Sequence, residues 1–353
     1  MRYPSRSGPK ATLEQVHARV GACADTSRRE TLPAPRLTFA GGLGLGRILL
    51  AAVVFVALVA SGGCPPPQPI EVTVSSGQSN RPTTREEIVT QARREGELNW
   101  YTSLPDDDAR QIAKAFTEQF PFIVCRTVRS GTFEIVRRIQ SEVARGEVEA
   151  DVLHVLDPGV FVSLHQAGQL YRYQSTQAKY LPPELRAAEA WNACRVVVTV
   201  IALRKDSPLK ITKWSDLTTL PSSMRVGVKD AATSGSAYTT YYLLREKYGY
   251  SFWYSIAERD PRVFRSEDEM LTALERGEVD VLAGVMADTL LIDKRARIVW
   301  PADGVPVVLG PVGILAGAPH PNAAKLFVDF LLSRTGQELI RSVTGAYPAR
   351  PGL

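Results

Sequence analysis

From about residue 97 to the C-terminus, short apolar segments alternate with stretches whose apolar residues recur every three or four positions, and this alternation restricts the fold most. Leu98–Thr102, Phe122–Val128 and Asp151–Leu156 read as strands in the first half. Asp106, Asp107 and Asp108 place carboxylates at the start of a helix, where the dipole favours them, and Ile112, Phe116 and Phe120 share its buried face. Ser130-Gly131-Thr132 is a turn-and-cap cluster opening a helix with Ile135, Ile139 and Val143 on one side. Asp157-Pro158-Gly159 ends the third strand. In the second half, Arg195–Leu203, Arg225–Val228, Arg262–Phe264 and Val279–Ala283 are strands. The loop Lys229–Gly235 leads into a helix carrying Tyr238, Tyr241, Tyr242, Arg245 and Tyr248. Val305–Leu315 is a long strand whose prolines predict a non-central position. Helices from near Pro321 and Thr335 close the chain. Strand–helix alternation of this kind predicts an α/β protein with a parallel, doubly wound sheet.

Each half also contains a similar passage from helix end to strand. Arg145-Gly146-Glu147-Val148-Glu149-Ala150-Asp151-Val152-Leu153 echoes Arg276-Gly277-Glu278-Val279-Asp280-Val281-Leu282. A shared helix–glycine–strand turn produces this resemblance by convergence, and it fits two lobes built alike.

Upstream, Arg47 precedes an unbroken apolar run from Ile48 to Ala60, 13 residues. At roughly 1.5 Å per residue this is about 20 Å of helix. It falls short of the roughly 20 residues of a membrane span and has the length of a secretory signal core. Ser61-Gly62-Gly63 before Cys64 resembles the lipobox of bacterial lipoproteins, although Ser61 stands where leucine is usual. The resemblance implies lipidation of Cys64 and removal of residues 1–63; an ordinary signal peptide cut nearby is the alternative. Either implies export, to the periplasm or the outer face of the cytoplasmic membrane. Residues 1–46 are long for the region preceding a signal core, and a true start nearer Arg47 is the simplest account. The Gly42–Gly46 glycines follow no strand, so they are no nucleotide loop. Residues 64–95, opening on Pro65-Pro66-Pro67, read as a flexible spacer.

The formal charge of +5 belongs to the leader: residues 1–63 hold eight Lys/Arg against three Asp/Glu, leaving 34 of each sign in residues 64–353. A neutral mature domain gives no footing for nucleic-acid binding. Its 290 residues suffice for two lobes. Cys125 and Cys194 read as two free buried thiols rather than a disulfide framework. His17, His154, His165 and His320 show no metal-ligand spacing, so no metal and no cofactor is expected.

Several segments, in order, resemble one family: Leu98-Asn99-Trp100-Tyr101-Thr102-Ser103; Ala115-Phe116-Thr117-Glu118; Ala150-Asp151-Val152-Leu153 with Asp157; Asp230 with Thr233-Ser234-Gly235-Ser236-Ala237-Tyr238-Thr239; and Ala318-Pro319-His320-Pro321-Asn322-Ala323-Ala324-Lys325. Over about residues 97–350 the chain resembles the extracellular solute-binding proteins of ABC transporters, in the branch containing the ferric-iron-binding proteins. The resemblance implies a two-lobed type II periplasmic-binding-protein fold with a hinge of crossing strands. Residues 96–200 plus 304–353 would form the first lobe, 201–303 the second. It also implies a monomer that closes on its solute by hinge motion and delivers it to an ABC permease and ATPase, with no chemistry of its own.

Ferric-binding members place two adjacent tyrosines after the strand corresponding to Val279–Ala283. Here that stretch is Gly284-Val285-Met286-Ala287-Asp288-Thr289, and Ser103-Leu104-Pro105 replaces a histidine that some members carry. Tyr241-Tyr242 lies within a helix and reads as core. Asp157 matches a family carboxylate and Asp288 offers another oxygen, which keeps an iron receptor using a bound anion as the alternative. The remaining candidates suit an anion. Ser130, Gly131 and Thr132 in one lobe, and Thr233, Ser234, Gly235 and Ser236 in the other, each open a helix whose free N–H groups suit a carboxylate, phosphate or phosphonate. Ordinary helix caps need the same residues. Ser103, Asp157 and Met286 complete the candidate solute-binding set. Cys194 and Trp191 fit the cleft or the core equally, and Arg129 would add positive charge. No nucleophile elbow or Ser/His/acid set supports an enzyme. A sensory ligand-binding lobe would need a separate membrane partner.

Overall fold

The computed structural model describes residues 84–187 and 190–353. The leader, Cys64 and most of the proposed spacer lie outside them. The last part of the spacer is not flexible: helix α1, Arg85–Glu95, begins with a reciprocal cap in which Glu87 N–H donates to Thr84 Oγ1 (3.2 Å) and Thr84 N–H donates to Glu87 Oε2 (2.8 Å). It ends at Gly96 in the left-handed conformation (φ 71°). The cap and the stop were both legible, but the polar composition of the stretch obscured them.

Strands β1 (Glu97–Thr102), β2 (Val124–Arg129) and β3 (Val152–His154) pair in parallel, with β1 in the middle. Helices α2 (Asp106–Gln119), α3 (Thr132–Arg145) and α4 (Pro158–Gln166) connect or follow them. A short β4 (Arg186–Ala187) pairs with β5, Trp191–Leu203, a 13-residue strand buried over nearly its whole length. The second lobe contains β6 (Val226–Lys229), α5 (Gly235–Tyr248), α6 (Tyr250–Ala257), β7 (Arg262–Phe264), α7 (Glu267–Glu275), β8 (Val281–Met286), α8 (Ala287–Asp293) and β9 (Arg297–Val299). The chain returns along β10 (Val307–Ile314) and closes with α9 (Pro321–Leu332), α10 (Arg334–Thr344) and β11 (Tyr347–Pro348).

The strand order is β2-β1-β3-β10-β5-β8-β6-β7. Each lobe has the expected parallel core, β2-β1-β3 in one and β8-β6-β7 in the other, but the strands joining them are antiparallel. Strand β5 belongs to both: through Val198 it pairs with β10, and from Thr199 onward with β8 and β9. These are the crossing strands of an interlobe hinge. The expectation that prolines keep β10 off centre is overturned, since it lies between β3 and β5. Pro306 precedes the strand, and Pro311 follows a register shift at Gly310, so neither removes a hydrogen bond from a regular ladder.

The sequence echo marks the same device in both lobes. Gly146 and Gly277 stop α3 and α7 in the left-handed conformation (φ 72° and 67°). Asp151 then accepts the Asn99 N–H (2.7 Å), and Asp280 accepts the Arg225 N–H (2.8 Å), fixing the start of the neighbouring strand.

The largest core fills the space between the first-lobe sheet and α1, α2, α9 and α10. Trp100, Phe116 and Phe327 are fully buried there, with ring centroids 4.9 Å apart in both the Trp100–Phe327 and Phe116–Phe327 pairs. Each such side chain contributes about 1.5–3 kcal/mol by leaving water. The C-terminal helices are locked to this lobe by polar groups with complete partners. Glu95 accepts the N–H groups of Asn322 and Ala323 at the start of α9. Gln337 is fully buried, donates to the carbonyls of Cys194 (2.7 Å) and Leu331 (2.8 Å), and accepts the N–H groups of Ala349 and Arg350.

Candidate functional site

The C-terminal ends of the parallel strands in both lobes point to one region, which is where an open α/β sheet carries its ligand. After β3 come Leu156 and Asp157; after β2, Ser130 and Gly131; after β6, the loop to Ser234; after β8, Ala287 and Asp288. The two predicted helix starts do meet, and more closely than expected. A Cβ added to Gly131 would lie 3.0 Å from the Thr233 carbonyl oxygen. One added to Gly235 would lie 2.6 Å from the Leu156 oxygen, 2.9 Å from Thr132 Oγ1 and 3.0 Å from Asp157 Cβ. The lobes therefore touch through glycine backbone, and at Gly235 the contact leaves no room for a side chain. Phe133 and Tyr238 extend it as an edge-to-face pair at 5.6 Å.

The two starts are not equivalent. At α3, the Glu134 carboxylate already accepts from the Ser130 hydroxyl and from the Gly131 N–H (3.3 Å). An internal carboxylate thus occupies the position an anion would take. At α5, Ser234 Oγ accepts from the Ala237 N–H (3.4 Å) and lies 3.1 Å from Ser236 Oγ, while Thr233 Oγ1 donates to Asp230 (3.1 Å). The N–H groups of Gly235 and Ser236 meet no acceptor among the described residues. This start of a 14-residue helix is the one left open.

Asp157 caps α4 by accepting the Gly159 N–H at 2.8 Å and is 5 % exposed. Ser103 is half-buried, its N–H donating to the His154 carbonyl (3.2 Å). The Met286 N–H donates to Glu267 (3.1 Å), and its side chain packs with Leu156, Val197, Val308 and Ala346. Cys194 is fully buried and unpaired, Cys125 half-buried and unpaired. Trp191 packs on Phe161 (5.9 Å), and Arg129 donates to the Leu104 carbonyl (3.4 Å). Tyr242 is not core as expected: it is 43 % exposed under the Arg245 guanidinium, and Tyr241 is half-buried against Trp253.

Residues 106–343 match the bacterial extracellular solute-binding protein family. The chain belongs to that family. It is 26% identical over 272 residues to an uncharacterized protein of Haemophilus influenzae, covering 70% of this chain and 76% of the relative. Its fold is similar to the periplasmic binding protein AfuA of Actinobacillus pleuropneumoniae, solved with fructose-6-phosphate (22% identity, 72% of this chain and 85% of the other, TM-score 0.65). Iron-bound HitA of Pseudomonas aeruginosa is likewise similar (24% identity, 73% and 87%, TM-score 0.64), as is an ABC-transporter substrate-binding protein of Agrobacterium tumefaciens (17%, 73% and 80%, TM-score 0.68). This is accordingly a bacterial extracellular solute-binding protein with the two-lobed fold of these neighbours. The family and these neighbours are binding proteins. Among the described residues no helix is long and apolar enough to cross a membrane.

One residue of this solute-binding protein escaped the sequence reading. Arg195 lies on β5 at the register of Gly310 and Pro348, is 3 % exposed, and makes no hydrogen bond or ion pair through its guanidinium among the described residues. In sequence it is the first residue of an otherwise ordinary β-branched strand, so nothing distinguished it from an exposed arginine. Asp288, also 3 % exposed, has Oδ1 without a partner.

Burial pushes Asp157 up to about 6, against the N–H groups of Gly159 and Val160. It pushes Asp288 up to about 7, with the Glu267 charge adding and Arg195 opposing. A carboxyl raised in the folded state binds more protons folded than unfolded between its two pKa values, here from about 4 to about 7 for Asp288. The stability it contributes is complete below that window and is lost as pH rises through it. Asp288→Asn cannot ionise, so its unfolding free energy should gain on wild type by up to about 1.4 kcal/mol per pH unit across the window. Urea unfolding of both proteins at pH 4, 5.5 and 7 measures this. A difference independent of pH would show that Asp288 titrates as it does in water.

Proposed function

We propose that this protein is the receptor of an ABC importer for a small anionic solute, of carboxylate, phosphate or phosphonate type, bound between the lobes and handed to a membrane permease with its ATPase. The observation that carries the reading is the open start of α5: unpartnered Gly235 and Ser236 N–H groups, at the positive end of a 14-residue helix, where the two lobes meet. Thr132, Asp157, Ser234 and Ser236 surround it, Thr233 lies on the loop before α5, and Ser103, after β1, and Met286, the last residue of β8, complete the proposed set. Ser130 and Gly131 take part by shaping the contact rather than by donating, because Glu134 holds their donors. AfuA, holding fructose-6-phosphate in the same fold, supports an anion of this class.

The mature receptor is a monomer anchored by a lipid on Cys64 and tethered by the residues between it and α1. The ferric alternative has less support. Among the described residues no three His, Cys, Asp or Glu side chains converge as metal ligands, so Asp157 and Asp288 would depend on ligands brought by an anion.

Thermal unfolding against carboxylates, inorganic phosphate, phosphonates, sugar phosphates and ferric citrate tests the proposal. An anion at 100 times its dissociation constant should add about 2.7 kcal/mol to the stability. The double variant Ser234→Ala/Ser236→Ala should weaken its binding by about 1–2 kcal/mol. Stabilisation by ferric salt alone would replace this reading with the iron receptor.

A further inference from the structure

This inference rests on the receptor reading and concerns the part of the solute that α5 does not hold. Arg195 is a buried cation without a partner, in a position the fold takes care to keep. A Cβ on Gly310 would lie 2.9 Å from Arg195 Cγ and 3.4 Å from Nε, so only glycine leaves the side chain its place. The Arg195 Nε is buried with no acceptor, which costs stability unless a ligand supplies one. Of the groups around it, Asp288 acts on it most strongly, followed by Cys194, Asp108 and Glu267, yet none forms an ion pair with it among the described residues. Glu267 is already engaged: it accepts from the Met286 N–H (3.1 Å) and Thr289 Oγ1 (2.7 Å) and pairs with Lys229 (3.6 Å). The Asp288 carboxyl meets only backbone N–H groups, its own and that of Thr289, and its Oδ1 has no donor. His154, stacked on Trp100, is buried with neither ring nitrogen partnered, and the Trp100 N–H is also unpartnered. Buried polar groups are nearly always satisfied. Here Arg195, on the strand shared by both lobes, and Asp288, just past the end of β8, both keep an unpartnered polar atom.

These groups are set apart from the start of α5 by a single residue. The Leu156 carbonyl faces Gly235, while Leu156 Cδ2 lies 3.1 Å from a Cβ on Gly310, next to Arg195. A lone tetrahedral anion held by the Gly235 and Ser236 N–H groups does not reach past a leucine side chain to Arg195. A longer solute does. Arg195 offers only donors, so it takes an acceptor oxygen. Asp288 Oδ1 as a carboxylate offers only an acceptor, so it takes an N–H or O–H. We infer that Arg195 and Asp288 form a second subsite, and that the solute is a hydroxylated organic anion whose acidic group sits at the start of α5 while an oxygen and a hydroxyl of its carbon skeleton bind Arg195 and Asp288.

Calorimetric titration of the full chain with matched probes tests this. Inorganic phosphate and propyl phosphate carry the acidic group without skeleton hydroxyls. Glycerol 3-phosphate and glucose 6-phosphate carry both, and gluconate keeps the hydroxyls on a carboxylate head. The better hydroxylated probe is expected to bind at least about tenfold more tightly than propyl phosphate. Asp288→Asn and Asp288→Ala should each reduce that ratio by about tenfold, and Arg195→Gln should reduce it further than Arg195→Lys. Whether gluconate or the sugar phosphate binds identifies the acidic head. A wild-type ratio near one, or a ratio that no Asp288 or Arg195 variant moves, overturns the subsite. If such binding still weakens in Ser236→Ala, the receptor reading survives alone; if no anion binds wild type, both fall.

Discussion

Gly235→Val is expected to weaken solute binding by roughly 100-fold while the protein stays folded. The valine side chain would enter space held by the Leu156 carbonyl oxygen, Thr132 Oγ1 and Asp157 Cβ, all of them in the opposite lobe. The overlap exists only when the lobes are together. Overpacking of this kind costs about 1–3 kcal/mol and at times more, and here the cost falls on the closed form alone. Opening the hinge relieves it, so the solute must first recover that energy to close the receptor, and its apparent affinity drops by the same factor. Gly235→Ala should give a smaller loss of the same kind. Titration with the best-binding anion measures the affinity, and small-angle scattering of the free variant should show a larger radius of gyration than wild type. Unchanged affinity and radius in Gly235→Val would mean that the solute is held without this lobe contact.

Gly336→Ala acts on stability instead. Gly336 lies in the first turn of α10, three residues past the tight junction with α9 at Ser333, whose Oγ accepts the Gly336 N–H (3.1 Å). A Cβ there would overlap the Phe330 carbonyl oxygen and come within 2.8 Å of its carbon and 3.1 Å of Leu331 Cα. All three are backbone atoms of the preceding helix, so no side chain can rotate away. The two helices would have to separate, disturbing the packing of Phe327, Phe330 and the buried Gln337 beneath them. A loss of about 3 kcal/mol or more follows, or a fall in melting temperature of roughly 6–12 °C for a domain of this size. A variant melting within about 1 °C of wild type would show that the α9–α10 junction has slack.

The local elements were legible because each is specified by residues close in sequence. Ile112, Phe116 and Phe120 give the face of α2 at helical spacing, and Gly146 and Gly277 stop helices because few other residues adopt their backbone angles. Helix α1 was missed although Thr84, Glu87 and Gly96 spell its cap and stop, because its mean polarity resembles that of a linker. The prolines of β10 misled for a different reason. A proline forbids a regular ladder, but whether it falls at a register shift depends on the neighbouring strand.

The candidate site divides in the same way. Gly131, Thr132, Asp157 and Ser234–Ser236 were found from sequence because turn chemistry and helix starts have short signatures. That Glu134 caps one start and leaves the other open was not evident, since Ser130-Gly131-Thr132 is a turn-and-cap cluster whether an internal carboxylate or a solute meets its donors. Arg195 had no local signature at all, and Asp288 stood out only as an oxygen for the iron alternative. Sequence by itself determined the α/β class, the alternation that builds each lobe, and the family to which the chain belongs. The tertiary structure decided that β5 and β10 cross between lobes, that Gly235 touches Leu156, and that an arginine on a hydrophobic strand is buried without a partner. Those are contacts between residues dozens of positions apart, and no periodicity along the chain encodes them.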